Sequence, residues 1–172
     1  MLNGRNKSLK PQDILILLKI VCLGKVPFRI IDLSHELDIS PGEITMALER
    51  LRISGLLASD KRKTNPASIL EFLIHGLKYV FPAQLGTIQR GIITAYSGAK
   101  LSQKIISDTE YVWASEEGTS KGIAVTPLYE SVPFAALKDP KLHHLLALID
   151  TIRIGRAREQ VMARKELEKE FS

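Results

Sequence analysis

The side chains whose chemistry is plainest in this sequence are cations. Lys61, Arg62 and Lys63 stand together in the run Asp60-Lys61-Arg62-Lys63-Thr64-Asn65-Pro66, and Arg50 and Arg52 lie a short distance upstream. Cations gathered on a turn neutralise phosphates and set a protein's register on a duplex without reading its sequence. Groups suited to catalysis are poorly placed. Cys22 sits in the most apolar run of the chain, where a free thiol behaves as a small hydrophobe. His143 and His144 are adjacent, so on a helix they point about 100° apart and share no metal face. His75 follows Glu71 by four residues, but one Glu–His pair is an ordinary helix contact. Gly86 with Gly91, and Gly118 with Gly122, are too sparse for a phosphate loop, and neither pair leads into the Lys-Ser/Thr that such a loop needs. These residues predict no enzyme, no metal and no cofactor. Two weaker cationic features remain. Arg90-Gly91 with Lys121 suits either a second anion-binding surface or tight turns with a surface ion pair. Arg153 and Arg156, one helical turn apart, suit a solvated stripe or a bridge between segments.

The elements that must position these groups come from a chain of 172 residues, 45% hydrophobic and 25% charged, with 24 basic and 19 acidic side chains. That length fits one ordinary domain or a small module with an appended one, and the composition excludes disorder and low-complexity bias. A single cysteine excludes an intramolecular disulfide framework and points to a reducing compartment. The most apolar stretch, residues 14–23, is interrupted by Lys19 and falls short of the roughly 20 residues that cross a bilayer. Residues 1–8 are polar and lack a small-residue cleavage site, so neither membrane span nor signal peptide is expected and the cytoplasm is the expected location. Residues 1–66 hold 11 Lys/Arg against 7 Asp/Glu, while residues 67–172 hold 13 against 12. The excess on the first third points to an anionic partner there, nucleic acid ahead of a membrane surface, or else to a solvated basic face.

Three helices are predicted in the first segment. Pro11 opens one, with Ile14, Leu17, Leu18 and Val21 on one stripe and Ile16, Ile20 and Leu23 on another, before Gly24 and Pro27 end it. A second covers residues 29–37. Ser40-Pro41-Gly42-Glu43 is a capping box with proline at the first helical position, and the helix it opens carries Ile44, Ala47, Leu48 and Leu51 as far as Gly55. Leu56, Leu57, Ala58 and Ser59 suit a short strand running into the basic tip, with no clear returning strand. A helix over 69–81, a strand over 91–96, a short helix over 101–106 and a hairpin of 111–114 with 123–126 follow. From Asp139 a helical pattern runs past Gly155 to Phe171. The expected fold is α+β and mainly helical, divided into residues 1–66, 67–138 and 139–172.

The stretch Leu37-Asp38-Ile39-Ser40-Pro41-Gly42-Glu43-Ile44-Thr45-Met46-Ala47-Leu48-Glu49-Arg50-Leu51-Arg52-Ile53-Ser54-Gly55-Leu56-Leu57 resembles the winged helix-turn-helix of bacterial transcriptional regulators of the MarR and ArsR type, over about residues 10–65. The resemblance implies that the capped helix enters the major groove. Its base-facing positions are then Pro41, Gly42, Thr45 and Met46 beside the Ser40 cap, with Glu49 and Arg52 a turn further along. Where Arg, Gln, Asn and Ser usually read base edges, this face offers Thr45, Met46, Glu43 and Glu49, so modest specificity is expected. Arg50, Arg52, Lys61, Arg62 and Lys63 are the expected phosphate contacts. Phe81-Pro82-Ala83, Gly86, Arg90-Gly91, Thr94-Ala95, Val112-Trp113, Gly122, Pro127-Leu128-Tyr129 and Pro133 resemble a family of small bacterial helix-turn-helix proteins without a characterised activity. A looser similarity is to winged-helix antitoxins of the AbiEi type.

The function these readings point to is a DNA-binding transcriptional regulator. A homodimer is expected because one such module makes few base contacts and two-fold symmetry doubles them. The excess apolar surface of residues 14–23 and of the C-terminal helices is the expected seam, unless the appended segment covers it within one chain. The alternative is a protein-interaction adaptor, or an antitoxin-like partner, whose winged helix reads little DNA.

Overall fold

Residues 8–98, 100–105 and 108–172 are described by the computed structural model. Helix α1 (Pro11–Leu23) starts at its proline and stops at Gly24, whose φ of +61° lies in the left-handed region. Helix α2 (Ile30–Leu37) ends at Asp38, also left-handed, and residues 38–40 turn the chain into α3 (Pro41–Ile53). The Ser40 hydroxyl accepts from the Glu43 amide at 3.3 Å, as the cap requires. The second half of the expected capping box does not form. The Glu43 carboxylate turns instead to Arg50 and to the Gln12 amide.

After α3 the chain makes a minimal antiparallel ribbon. Leu57 bridges Thr64, and the Ala58 amide donates to the Lys63 carbonyl at 2.8 Å. The returning strand is therefore present but reduced to a single bridge, because Pro66 immediately opens α4 (Pro66–His75). At the ribbon tip the Asp60 carboxylate accepts from the amides of Arg62 and Lys63, and Lys61 takes a φ of +56°. The helix expected over 69–81 breaks at Gly76 into α4 and a single turn, α5 (Leu77–Val80).

The sheet has strands β1 (Leu85–Thr94), β2 (Tyr111–Ala114) and β3 (Ser120–Val125). Between β1 and β2 lie a turn of helix, α6 (Ala95–Gly98), and a 3₁₀ turn over Lys100–Gln103. The short helix expected over 101–106 shrinks to that turn, and residue 106 lies outside the described residues. The expected hairpin is corrected. β2 and β3 run parallel to each other, each antiparallel to a different stretch of β1, with Gly91 paired to both Ala114 and Ser120. The loop joining β2 to β3 thus crosses β1 rather than reversing the chain. Glycine permits the crossing: a Cβ on Gly118 would lie 2.0 Å from the Gly91 carbonyl carbon, and one on Gly91 would lie 2.0 Å from the Trp113 carbonyl oxygen. These glycines serve close backbone approach.

Helices α7 (Val132–Lys138), α8 (Pro140–Ile154) and α9 (Ala157–Glu170) complete the chain. The Asp139 carboxylate caps α8 by accepting from the Lys141 and Leu142 amides, and Gly155 separates α8 from α9. Apolar along nearly its whole circumference, α8 packs against α1, α5, α6, α7, α9 and β1. One continuous core therefore draws on residues of all three expected segments. The apolar face of α1 is covered within this core. Ile14, Leu15, Ile16, Leu17, Leu18 and Ile20 are all 1% exposed or less in the single chain, so the expected seam along α1 is corrected to intrachain packing. The fold is α+β and mainly helical, with one small three-stranded sheet among the described residues. No described helix is long and apolar enough to cross a membrane.

Asp150 on α8 ties the sheet to the helices. Its Oδ2 accepts from Thr94 Oγ1 and from Trp113 Nε1, each at 2.7 Å, and its Oδ1 accepts from Arg153 at 2.8 Å. Burial pushes the Asp150 carboxyl above its ordinary value, against the pull of Arg153 and of the two donors. Asp150→Asn turns one acceptor into a donor facing other donors. It is expected to lower stability by about 1–3 kcal/mol, read by denaturant unfolding followed through the single tryptophan, Trp113.

Candidate nucleic-acid interface

The first two turns of α3 present an open face. Pro41, Gly42, Thr45 and Met46 are exposed beside the exposed Ser40 cap, while Ile44, Ala47, Leu48 and Leu51 on the opposite side fill the core. The Thr45 hydroxyl donates to the Pro41 carbonyl at 3.0 Å, which leaves its methyl and its acceptor lone pairs for a partner. Met46 is 39% exposed. The ribbon tip at residues 59–63 follows the C-terminal end of α3 and reaches back to the helix through Lys61 on Glu49.

The cations divide into those that are spent and those that are open. Arg50 is corrected outright. It is 1% exposed, and its Nε and Nη2 grip both carboxylate oxygens of Asp13 at 2.7 Å, with Nη2 also on Glu43. A guanidinium held this way joins α1 to α3 and is unavailable to phosphate. Arg52 donates to Glu49 at 2.6 and 3.1 Å, and Lys61 reaches the same carboxylate at 2.6 Å. Hydrogen bonds from Arg52 and then Lys61 pull the Glu49 carboxyl down to about 2, so it stays ionised between them across the neutral range. Arg62 lies over the Phe28 ring, 4.5 Å from its centroid, and donates to the Phe28 carbonyl at 2.9 Å. It remains exposed, as does Lys63, which carries no ion pair among the described residues.

Sequence reasoning missed the loop of residues 24–29. Lys25 is exposed there and unpaired among the described residues, and with Arg62 and Lys63 it borders a cleft of about 930 Å³. The open positive edge is thus Lys25, Arg62 and Lys63, while Arg29 pairs with Asp32 at 2.8 Å. A basic residue between Gly24 and Pro27 was the available signal.

The weaker cationic features are also placed. Arg90 faces Lys121 across β1 and β3, and its Nε donates to the Gly118 carbonyl at 2.5 Å, holding the crossing loop. Arg153 turns inward onto Asp150 and the carbonyls of Phe81, Pro82 and Thr126, so it bridges segments and forms no stripe with the exposed Arg156. Cys22 is partly buried and packs against the core, and that burial raises its thiol to about 12. Among the described residues one trio has metal-ligand types, His144, Glu166 and Glu170, with ligand atoms within 4.8 Å of one another. Glu170 lies 3.5 Å from His144, and Glu166 holds Lys169 at 3.1 Å.

Compared with known proteins, the chain matches no family model, no curated protein and no solved structure.

Proposed function

We propose that the protein binds duplex DNA as a winged-helix transcriptional regulator, with α3 entering the major groove and the ribbon tip on the adjacent backbone. The observation that carries this reading is the exposed face of Pro41, Gly42, Thr45 and Met46 on α3, and the open cations Lys25, Arg62 and Lys63 on the loop of residues 24–29 and the ribbon add to it. The face offers a hydroxyl, a methyl and a thioether in place of paired donors, so it suits a thymine methyl or a single base edge. Discrimination between sequences then leans on duplex shape. Two copies on a two-fold site would double these contacts, and light scattering of the complex on DNA reads the stoichiometry.

The test is fluorescence anisotropy on a labelled duplex across a salt series. Each lost phosphate contact flattens the plot of log affinity against log salt by about one unit. Arg62→Ala with Lys63→Ala should flatten it by about two, equally for all sequences. Glu49→Gln gives the opposite result: it removes a negative charge from α3 and releases Arg52 and Lys61, so it should steepen the slope by about one to two units. No duplex binding at low salt by the wild-type chain would falsify the reading.

A second reading has its own support. Glu43 and Glu49 beside the exposed Met46 make the α3 face partly acidic and apolar, as a protein-binding surface is. On that reading the chain is an adaptor or antitoxin-like partner, and Glu49→Gln leaves DNA affinity at zero.

A further inference from the structure

At the opposite end of α8 from the Asp139 cap, where Gly155 and Arg156 join α8 to α9, a partly open cavity of about 450 Å³ lies between the helices and the sheet. That volume falls in the range of small-ligand sites. One wall is aromatic: the rings of Tyr96 and Tyr111 meet edge to face, 5.3 Å between centroids. Leu85, Ile105 and Ile154 supply aliphatic surface. Two full charges border the same space. Arg156, the extended residue that precedes α9, and Glu159 in its first turn both line the cavity, yet they form no ion pair with each other or with another described residue. The Glu159 Oε2 atom is shielded from solvent and receives no hydrogen bond. An enclosed carboxylate oxygen without a donor is costly unless a ligand supplies one. The first turn of α9 has no side-chain cap, so its amides add to the positive end beside Arg156. Burial and then the neighbouring Tyr96 raise the Tyr111 hydroxyl above its ordinary value, with smaller opposed contributions from Arg156 and Glu159.

We infer that this cavity binds a small zwitterion of the α-amino-acid type with an apolar side chain. Its carboxylate sits on Arg156, its ammonium on Glu159, and its side chain lies against Tyr96, Tyr111 and Ile154. The pair of opposite charges on one cavity selects this class. A molecule with its own cation and anion satisfies both, and a simple anion would leave Glu159 repelling it. The site goes beyond the proposed DNA binding and is testable without DNA.

Calorimetric titration of the full chain with L-leucine and L-phenylalanine, up to about 10 mM, reads the site directly. N-acetyl-L-leucine lacks the ammonium and L-leucinamide lacks the carboxylate. The wild type is expected to bind at least one of the two free amino acids, and L-leucine at least about 10-fold tighter than either blocked form, since a hydrogen bond to a charged group is worth that factor or more. Glu159→Gln should erase the preference over the acetylated form, and Arg156→Gln the preference over the amide, with melting temperatures kept near the wild type. That crossed pattern does not arise from a merely structural role for either residue. The proposal is overturned if neither amino acid binds, if the blocked forms bind as well as the free ones, or if inorganic phosphate displaces the amino acid at equal concentration.

Discussion

A chain carrying Asp at both position 16 and position 20 is expected not to fold, and specifically not to yield a soluble folded monomer. Ile16 and Ile20 lie in the middle of α1 and are buried within a single chain. Each substitution removes a buried branched side chain, at about 2–5 kcal/mol when truncation alone is considered. Each also places a carboxylate among aliphatic groups, at a further cost of several kcal/mol. Two such changes exceed the roughly 5–15 kcal/mol that holds a domain together. Circular dichroism should show lost helix at 25 °C, and size exclusion an expanded or aggregated species. A helical, compact, monodisperse product would instead show that this face is a seam between chains.

The second large effect lies at Arg50. Arg50→Met leaves the Asp13 carboxylate fully buried without its partner, and breaking a buried pair from one side costs about 3–5 kcal/mol. Asp13 does keep a hydrogen bond from the Lys10 amide at 2.9 Å, which softens the loss without replacing a guanidinium fork. Changing both partners, Asp13→Leu with Arg50→Met, should recover most of that stability, because the site is then apolar and filled. Urea unfolding of the wild type, both single variants and the double variant measures the coupling. The same variants separate structure from recognition. Under conditions where Arg50→Met stays folded, its salt slope on duplex DNA should match the wild type, whereas a phosphate contact at Arg50 would flatten it by about one unit.

Helix starts were legible because they are local chemistry: Pro11, Ser40-Pro41 and Asp139-Pro140 each place a cap or a proline where a helix begins. The α3 face was legible for the same reason, since helical spacing separates Thr45 and Met46 from Ile44 and Leu48. The role of Arg50 was not. Its partner Asp13 lies 37 residues away, and nothing in the local pattern distinguishes a buried arginine from an exposed one. The pairing of Glu49 with Arg52 follows an ordinary three-residue spacing, but its capture of Lys61 depends on how the ribbon folds back. The sheet was misread as a hairpin because strand–loop–strand patterning is the same whether the loop reverses the chain or crosses a third strand. Only the zero-side-chain contact between Gly118 and Gly91 tells the two apart. The cavity at the α8–α9 junction joins residues from both ends of the sheet and the start of α9, a grouping no window of sequence contains.

The dependence of α1 on α8 has a consequence for how the chain emerges from the ribosome. Lys19 on α1 donates to Asp139, the residue that caps α8, across 120 positions of sequence at 2.8 Å. At ~5–20 residues per second, those positions take on the order of 10 s to be made. During that interval the first three helices are complete, yet α1 lacks the neighbour that closes its remaining apolar surface. The nascent chain therefore carries apolar α1 surface that stays uncovered early in synthesis, and native packing at the N-terminus waits on the arrival of its last third.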